Sequence, residues 1–247
     1  MILSMLLFLK LYLAHLIADF LLQPNWIARN KKNIPRLALH SLIHFVVTIA
    51  LVNFGLTKRL LLILILLAIL HAISDYLKAK LTRDDWLAFT VDQLVHLLLI
   101  IVAAIWLSAK ASENAQTIIG ILLNSKKLYL YLCVYVATTF GGGYFVQKIS
   151  QYFMREIGET LAAEKPGLPK AGKYIGWLER SLVLTFVLAG YPDGVGLLLA
   201  AKALVRYPEI KDDKGHFAEY FLVGTLTSVT LALVAAFVLL KLRMHIR

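Results

Sequence analysis

Histidine and aspartate side chains recur in four pairs at one spacing: His15 with Asp19, His40 with His44, His71 with Asp75, and Asp92 with His96. Residues four apart on a helix lie one above the other on the same face, roughly 6 Å apart along the axis. Each pair can therefore aim both side chains at one point. Neutral imidazole with carboxylate suits a divalent metal, zinc first, with iron, manganese or cobalt also compatible. The single cysteine, Cys133, excludes a cysteine cage or a disulfide framework. Eight side chains exceed the four ligands of a tetrahedral ion, so the pattern implies two ions, or aspartates that orient histidines from behind. A metal lowers the pKa of its water toward ~7 and polarises a carbonyl or phosphoryl oxygen. Whichever of Asp19, Asp75 and Asp92 is not a ligand is then available as general base. Asp92 is preferred, because Gln93 and the turn at Asp84 and Asp85 place it near an entrance. Gln23, Ser41, Ser74, Lys78 and Gln93 add polar groups nearby. Lys78 is read as snorkelling to the interface rather than as a holder of an anionic group.

The elements that must position these groups are membrane helices. Sixty per cent of the 247 residues are hydrophobic, beyond the roughly 45–50% of soluble domains. That excludes a water-soluble class. The formal charge of +11 comes without a basic helix or any nucleic-acid signature, so basic loops beside apolar spans explain it and no nucleic-acid partner is expected. Residues 1–22 are too long for a signal-peptide core and carry His15 and Asp19, which reads as a retained transmembrane helix. Further apolar stretches fall at 37–54, 60–80, 86–108, 127–150, 175–190, 194–206 and 217–240. The predicted fold is all-α and polytopic, with seven or eight transmembrane helices. An N-terminal four-helix unit (1–108) carries the His/Asp layer, and a C-terminal membrane unit follows (109–247).

In antiparallel neighbours, a layer near one face must come late in odd helices and early in even ones. The four pairs follow that rule and so share one depth. Lysine and arginine are richer in the loops on that side than on the other, which predicts a cytoplasmic layer, a multi-pass plasma-membrane protein and an N-terminus outside. Ionisable groups in hydrocarbon are costly unless paired or cavity-facing. Interhelical hydrogen-bonding glue and a proton relay are the rival uses. A relay should extend across the membrane, whereas this set forms a layer. In the second half, Glu179, Arg180, Lys202, Arg206 and Glu219 suggest structural ion pairs, and Gly141, Gly142 and Gly143 imply either a kink or a close helix approach.

The runs HLIADFLLQPNWIARNK (15–31), HSLIH (40–44), HAISDYLK (71–78) and VDQLVH (91–96) resemble the bacterial membrane proteins grouped as the domain-of-unknown-function 3307 family. Later segments, YIGWLERSLVL, AAKALVRY and AEYFLVGTL, resemble the C-terminal half of its full-length members. The resemblance implies an integral membrane protein of the bacterial inner membrane and brings no activity with it. More loosely, the pattern is similar to membrane-bound metal-dependent hydrolases. The expected function is a metal-dependent membrane hydrolase acting on a lipid, an isoprenoid phosphate or a membrane peptide, since such molecules reach this depth from the bilayer. A divalent-metal transporter is the alternative, because cation diffusion facilitators also carry HxxxD or DxxxD pairs; a non-catalytic structural protein is another. Against transport stand the missing histidine-rich loop and the off-centre depth. A desaturase-like di-iron oxidase would require more histidines.

Overall fold

The computed structural model describes residues 2–52, 57–82, 84–107, 125–156, 171–211 and 217–246, and every element among them is helical. Arg83, the apolar run 117–123 and most of the expected loops 109–126 and 155–173 lie outside the described residues. Among the described residues, five helices are long and apolar enough to cross a membrane: Ile34–Val52, Lys58–Leu81, Trp86–Leu107, Lys126–Arg155 and Ala218–His245. The chain divides into two compact units, Met1–Val136 and Ala137–Arg247.

The first unit contains α1 (Ile2–Leu16), the short α2 (Asn25–Ala28), α3 (Ile34–Val52), α4 (Lys58–Leu81), α5 (Trp86–Leu107) and α6 (Lys126–Val136). Helix α1 is apolar on all sides and correspondingly enclosed, with Leu6, Leu7, Leu9, Leu11, Leu13, Ala14 and Leu16 all buried. It packs against α3, α5 and α6, while α4 packs against both α3 and α5. The buried Lys10 amine lies 3.5 Å from the Val52 carbonyl and 5.4 Å from the centre of the Tyr129 ring.

Local chemistry fixes where three of these helices begin. The Asn33 side chain accepts from Arg36 N, Thr57 Oγ1 accepts from Leu60 N, and Asp85 Oδ1 accepts from Ala88 N. These are N-cap hydrogen bonds, which satisfy amides with no partner inside the helix. Once the starts are set, the four-residue spacing sends one stripe of each helix inward: His40, His44 and Thr48 from α3, His71 and Asp75 from α4, Asp92, His96 and Ile100 from α5. The outward faces are exposed and apolar, as with Leu42, Val46, Leu62, Ile69, Leu94 and Leu98. Polar inside and apolar outside is the arrangement a hydrocarbon solvent favours. An apolar cluster of Leu7, Leu11, Leu60, Leu64, Ile100 and Ala103 closes the interior beyond the histidines.

The second unit opens with a π-helical turn at Ala137–Gly141, followed by α7 (Gly142–Glu156), α8 (Ala171–Leu188), α9 (Asp193–Lys211) and α10 (Phe217–His245). The Arg180 guanidinium is buried and donates twice to the Thr139 carbonyl, from Nε at 3.2 Å and Nη2 at 2.9 Å, and once to Ser228 Oγ at 3.0 Å. A Cβ at Gly143 would lie 2.9 Å from Arg180 Nη2, and one at Gly176 3.2 Å from Nη1. The glycines therefore serve close approach, and the π turn ends at Gly141, just before Gly142 and Gly143. Glu179 pairs with Lys202 at 2.7 Å. Gly190, at φ 80°, ends α8, with Tyr191 N donating to Phe186 O at 2.8 Å.

Candidate metal centre

Every one of the eight histidines and aspartates singled out from the sequence is buried, none exposed beyond 7%. They meet in the first unit. The ring centroid of His71 lies 3.9 Å from that of His44 and 4.1 Å from that of His96, and those of His15 and His96 are 5.1 Å apart. Among the described residues they form three overlapping groups of closely spaced ligand atoms: His15, Asp19, His44 and His71; His40, His71 and Asp75; and Asp75, Asp92 and His96.

Asp19 departs from its expected geometry. The chain leaves the α-helix after Leu16 and makes a π turn over Ile17–Leu21. A π turn takes more residues per revolution, so Asp19 no longer sits directly over His15. His15 Nε2 and Asp19 Oδ2 are 4.0 Å apart. Asp19 Oδ1 points at α3 and α4 instead, 2.9 Å from His44 Nε2, 3.1 Å from His40 Nε2 and 3.6 Å from His71 Nε2. His15 Nε2–H donates to Gln93 Oε1 at 3.2 Å, which leaves its Nδ1 buried without a hydrogen-bond partner in the protein.

Two triangles share the edge between His40 Nε2 and His71 Nε2, which is 3.2 Å long. Asp75 Oδ2 completes one, 3.4 Å from each nitrogen. Asp19 Oδ1 completes the other, at 3.1 and 3.6 Å. A tetrahedral ion with bonds of roughly 2.0–2.1 Å spaces its ligand atoms about 3.3–3.4 Å apart. The spacing of these donor atoms matches that of such an ion's ligands, and three protein ligands with one further position is the catalytic pattern. Orphaned atoms in the layer point the same way. His40 Nδ1, Asp75 Oδ1, Asp92 Oδ1 and both ring nitrogens of His96 are buried with no hydrogen-bond partner in the protein, His96 Nδ1 and Asp92 Oδ1 lying 3.8 Å apart, a costly condition in a low-dielectric interior.

The two sides of the layer differ. Toward Leu11, Leu64 and Ile100, the rings of His15, His44, His71 and His96 border a cavity of about 20 Å³, enough for one water molecule. On the opposite side stand two ammonium groups. Lys31, from the loop before α3, donates to Asp75 Oδ2 at 2.7 Å, and Lys78 donates to Asp92 Oδ2 at 2.9 Å. Lys78 thus turns inward, correcting the snorkelling expected for it. Gln93 Nε2 also reaches Asp92 Oδ2, at 3.4 Å. Burial works against the charge on Lys31, but the nearby carboxylates of Asp75 and Asp19 outweigh it and hold its pKa above the ordinary lysine value. Of the other polar neighbours, Ser41 bonds the Ala68 carbonyl across two helices at 2.9 Å, and Gln23 Nε2 is buried without a partner in the protein.

An all-helical chain with several membrane-length apolar helices and a buried His/Asp layer defines the class. Residues 7–125, slightly under half of the chain, match the family described as "Protein of unknown function (DUF3307)". The chain resembles that family over the segment holding all eight residues, while the later segments quoted for the same resemblance fall beyond the match. No curated protein and no solved structure matches the chain.

Proposed function

We propose that this chain is a metal-dependent hydrolase of the bacterial plasma membrane, crossing it seven or eight times with its N-terminus outside. Its N-terminal four helices form the bundle that holds the centre near the cytoplasmic face, and its substrate is a lipid, an isoprenoid phosphate or a membrane peptide. The observation that carries the reading is the pair of nitrogen–oxygen triangles sharing the His40–His71 edge, with sides of 3.1–3.6 Å. His40 and His71 with one of Asp75 and Asp19 are the three-ligand core, with the other carboxylate and His15, His44, Asp92 and His96 around it. The resident ion is divalent, zinc by preference, with iron or manganese as alternatives.

When bound, the ion supplies Lewis acidity to the substrate oxygen and acidity to a water molecule. The chain's own residues do the rest. Asp92 lies outside both triangles, its Oδ2 held by Lys78 and Gln93 and its Oδ1 without a hydrogen bond, 3.8 Å from His96 Nδ1. In this reading it is the carboxylate that takes the water's proton. Hydroxide then adds to the phosphorus or carbonyl carbon, the bond to the leaving group breaks, and Asp92 returns the proton to that group. The two ammonium groups beside the aspartates disfavour a pathway for cations and so favour hydrolysis over transport.

One set of preparations tests this: Asp19→Ala, Asp75→Ala and Asp92→Ala beside wild type. Metal content, thermal stability, metal flux into proteoliposomes and hydrolysis of farnesyl phosphate and phosphatidic acid are read on each. Asp92→Ala keeps its metal and loses turnover by about 10²–10⁴-fold, whereas Asp75→Ala loses both. Parallel loss of metal and stability in all three, or metal flux through wild type, defeats the proposal.

A further inference from the structure

We infer that Lys31 and Lys78 form a two-point clamp for a phosphate group, so that the substrate is a phosphate ester. This deepens the hydrolase reading and rests on its metal for one step only, the charge count. Asp19, Asp75 and Asp92 contribute three negative charges, and Lys31 and Lys78 two positive ones. The remainder is −1, and a divalent ion turns it into +1 with the histidines neutral. A net positive charge in a water-poor site calls for an anion.

Geometry selects the position. Lys31 and Lys78 come from different elements, yet they end on Asp75 and Asp92, at 2.7 and 2.9 Å, two carboxylates that share one group of closely spaced ligand atoms. Their side chains are 12% and 23% exposed, against 0% and 3% for Asp75 and Asp92. The lysines are thus the outermost charged groups of the centre, where an arriving ligand meets them first. Ammonium groups bind phosphate as point charges, and each can swing from its carboxylate on a flexible stem. A peptide carbonyl is neutral and gives two ammonium groups no task. At the helix ends and loops that carry the two lysines, Leu22, Trp26, Leu81 and Leu87 are exposed, as are the basic residues Arg29 and Lys32. That rim suits a phosphate carried on an amphiphile, and free orthophosphate shares the same recognition chemistry.

The full chain in phosphatidylcholine nanodiscs is titrated with radiolabelled orthophosphate and, separately, with phosphatidic acid incorporated into the discs. Wild type is compared with Lys31→Gln, Lys78→Gln and the two Lys→Arg variants, with metal content measured on every sample. At least one probe binds wild type, each glutamine variant binds it about tenfold more weakly, and the arginine variants stay close to wild type. Metal content stays constant throughout. Binding of phosphatidic acid alone assigns the phosphate to a lipid headgroup; binding of orthophosphate alone assigns it to a free anion. On wild type itself, the bound probe protects Lys31 and Lys78 from amine acetylation, a readout that does not depend on any variant folding. The clamp is overturned if neither probe binds, if the lysines are not protected, or if the glutamine variants lose metal and probe together. Should wild type hold no metal yet bind phosphate in a lysine-dependent way, the metal centre falls and the clamp stands.

Discussion

In His15 a single hydrogen bond decides which ring nitrogen is left free. With Nε2–H committed to Gln93 Oε1 at 3.2 Å, the neutral ring keeps its lone pair on Nδ1, which faces no partner in the protein. Replacing Gln93 by leucine frees the ring to change tautomer, and the affinity for zinc in a competitive chelator titration falls by about 10–100-fold. A titration unchanged from wild type would mean that His15 is not a ligand. At this scale four-residue spacing leads to the convergence of the histidines with Asp75 and Asp92, because it maps onto one helix face, but not to the turning of Asp19 away from His15. It was a poor guide to the lysines. A four-carbon stem reaches over a full helical turn, so neither the inward turn of Lys78 nor the contact of Lys31 with Asp75 follows from spacing. The one signal for Lys31 was its position as the last residue of the run 15–31 that carries the family resemblance.

Helical elements gave up their existence to hydrophobicity and their exact winding to packing alone. Two π turns, Ile17–Leu21 and Ala137–Gly141, lie within stretches expected to be plain α-helix. The first rotates Asp19 away from His15 toward His40 and His44. The second is bound by Arg180 through the Thr139 carbonyl. A π turn alters the register by a fraction of a revolution, too little to register in apolar periodicity. Its role in the second unit is testable through glycine. Gly143→Ala pushes a methyl group against Arg180 Nη2, which cannot move without giving up its 2.9 Å bond to Thr139. Thermal denaturation should show a loss of about 1–3 kcal/mol. Gly196→Ala, with nothing within 4 Å of its added Cβ, should be neutral or gain about 0.5–1 kcal/mol, as expected inside a helix. Equal effects at both positions would deny the glycine cradle.

Across the whole molecule, the membrane class was legible from composition, since apolar residues cover the outside of the helices and polar ones line the first unit's interior. Which helices associate was legible only in part. The depth rule brought α1, α3, α4 and α5 to one layer, whereas the packing of α6 along α1, through Tyr129, Leu130 and Cys133, has no signature in spacing. The proposed topology is open to labelling. Cys133 is buried; in a Cys133→Ser background, a cysteine at the exposed Asn30 should react with an impermeant maleimide only after the cells are opened. Reaction in intact cells would invert the orientation. The central claim, that the His/Asp layer holds a metal, is tested most directly by elemental analysis of the purified chain beside its His40→Ala/His71→Ala variant. Wild type should retain about one divalent ion or more per chain, and the double variant, which removes the edge common to both triangles, should retain about a tenth as much or less. Wild type without metal after purification from metal-replete cells, or a variant that keeps as much as wild type, would contradict the claim.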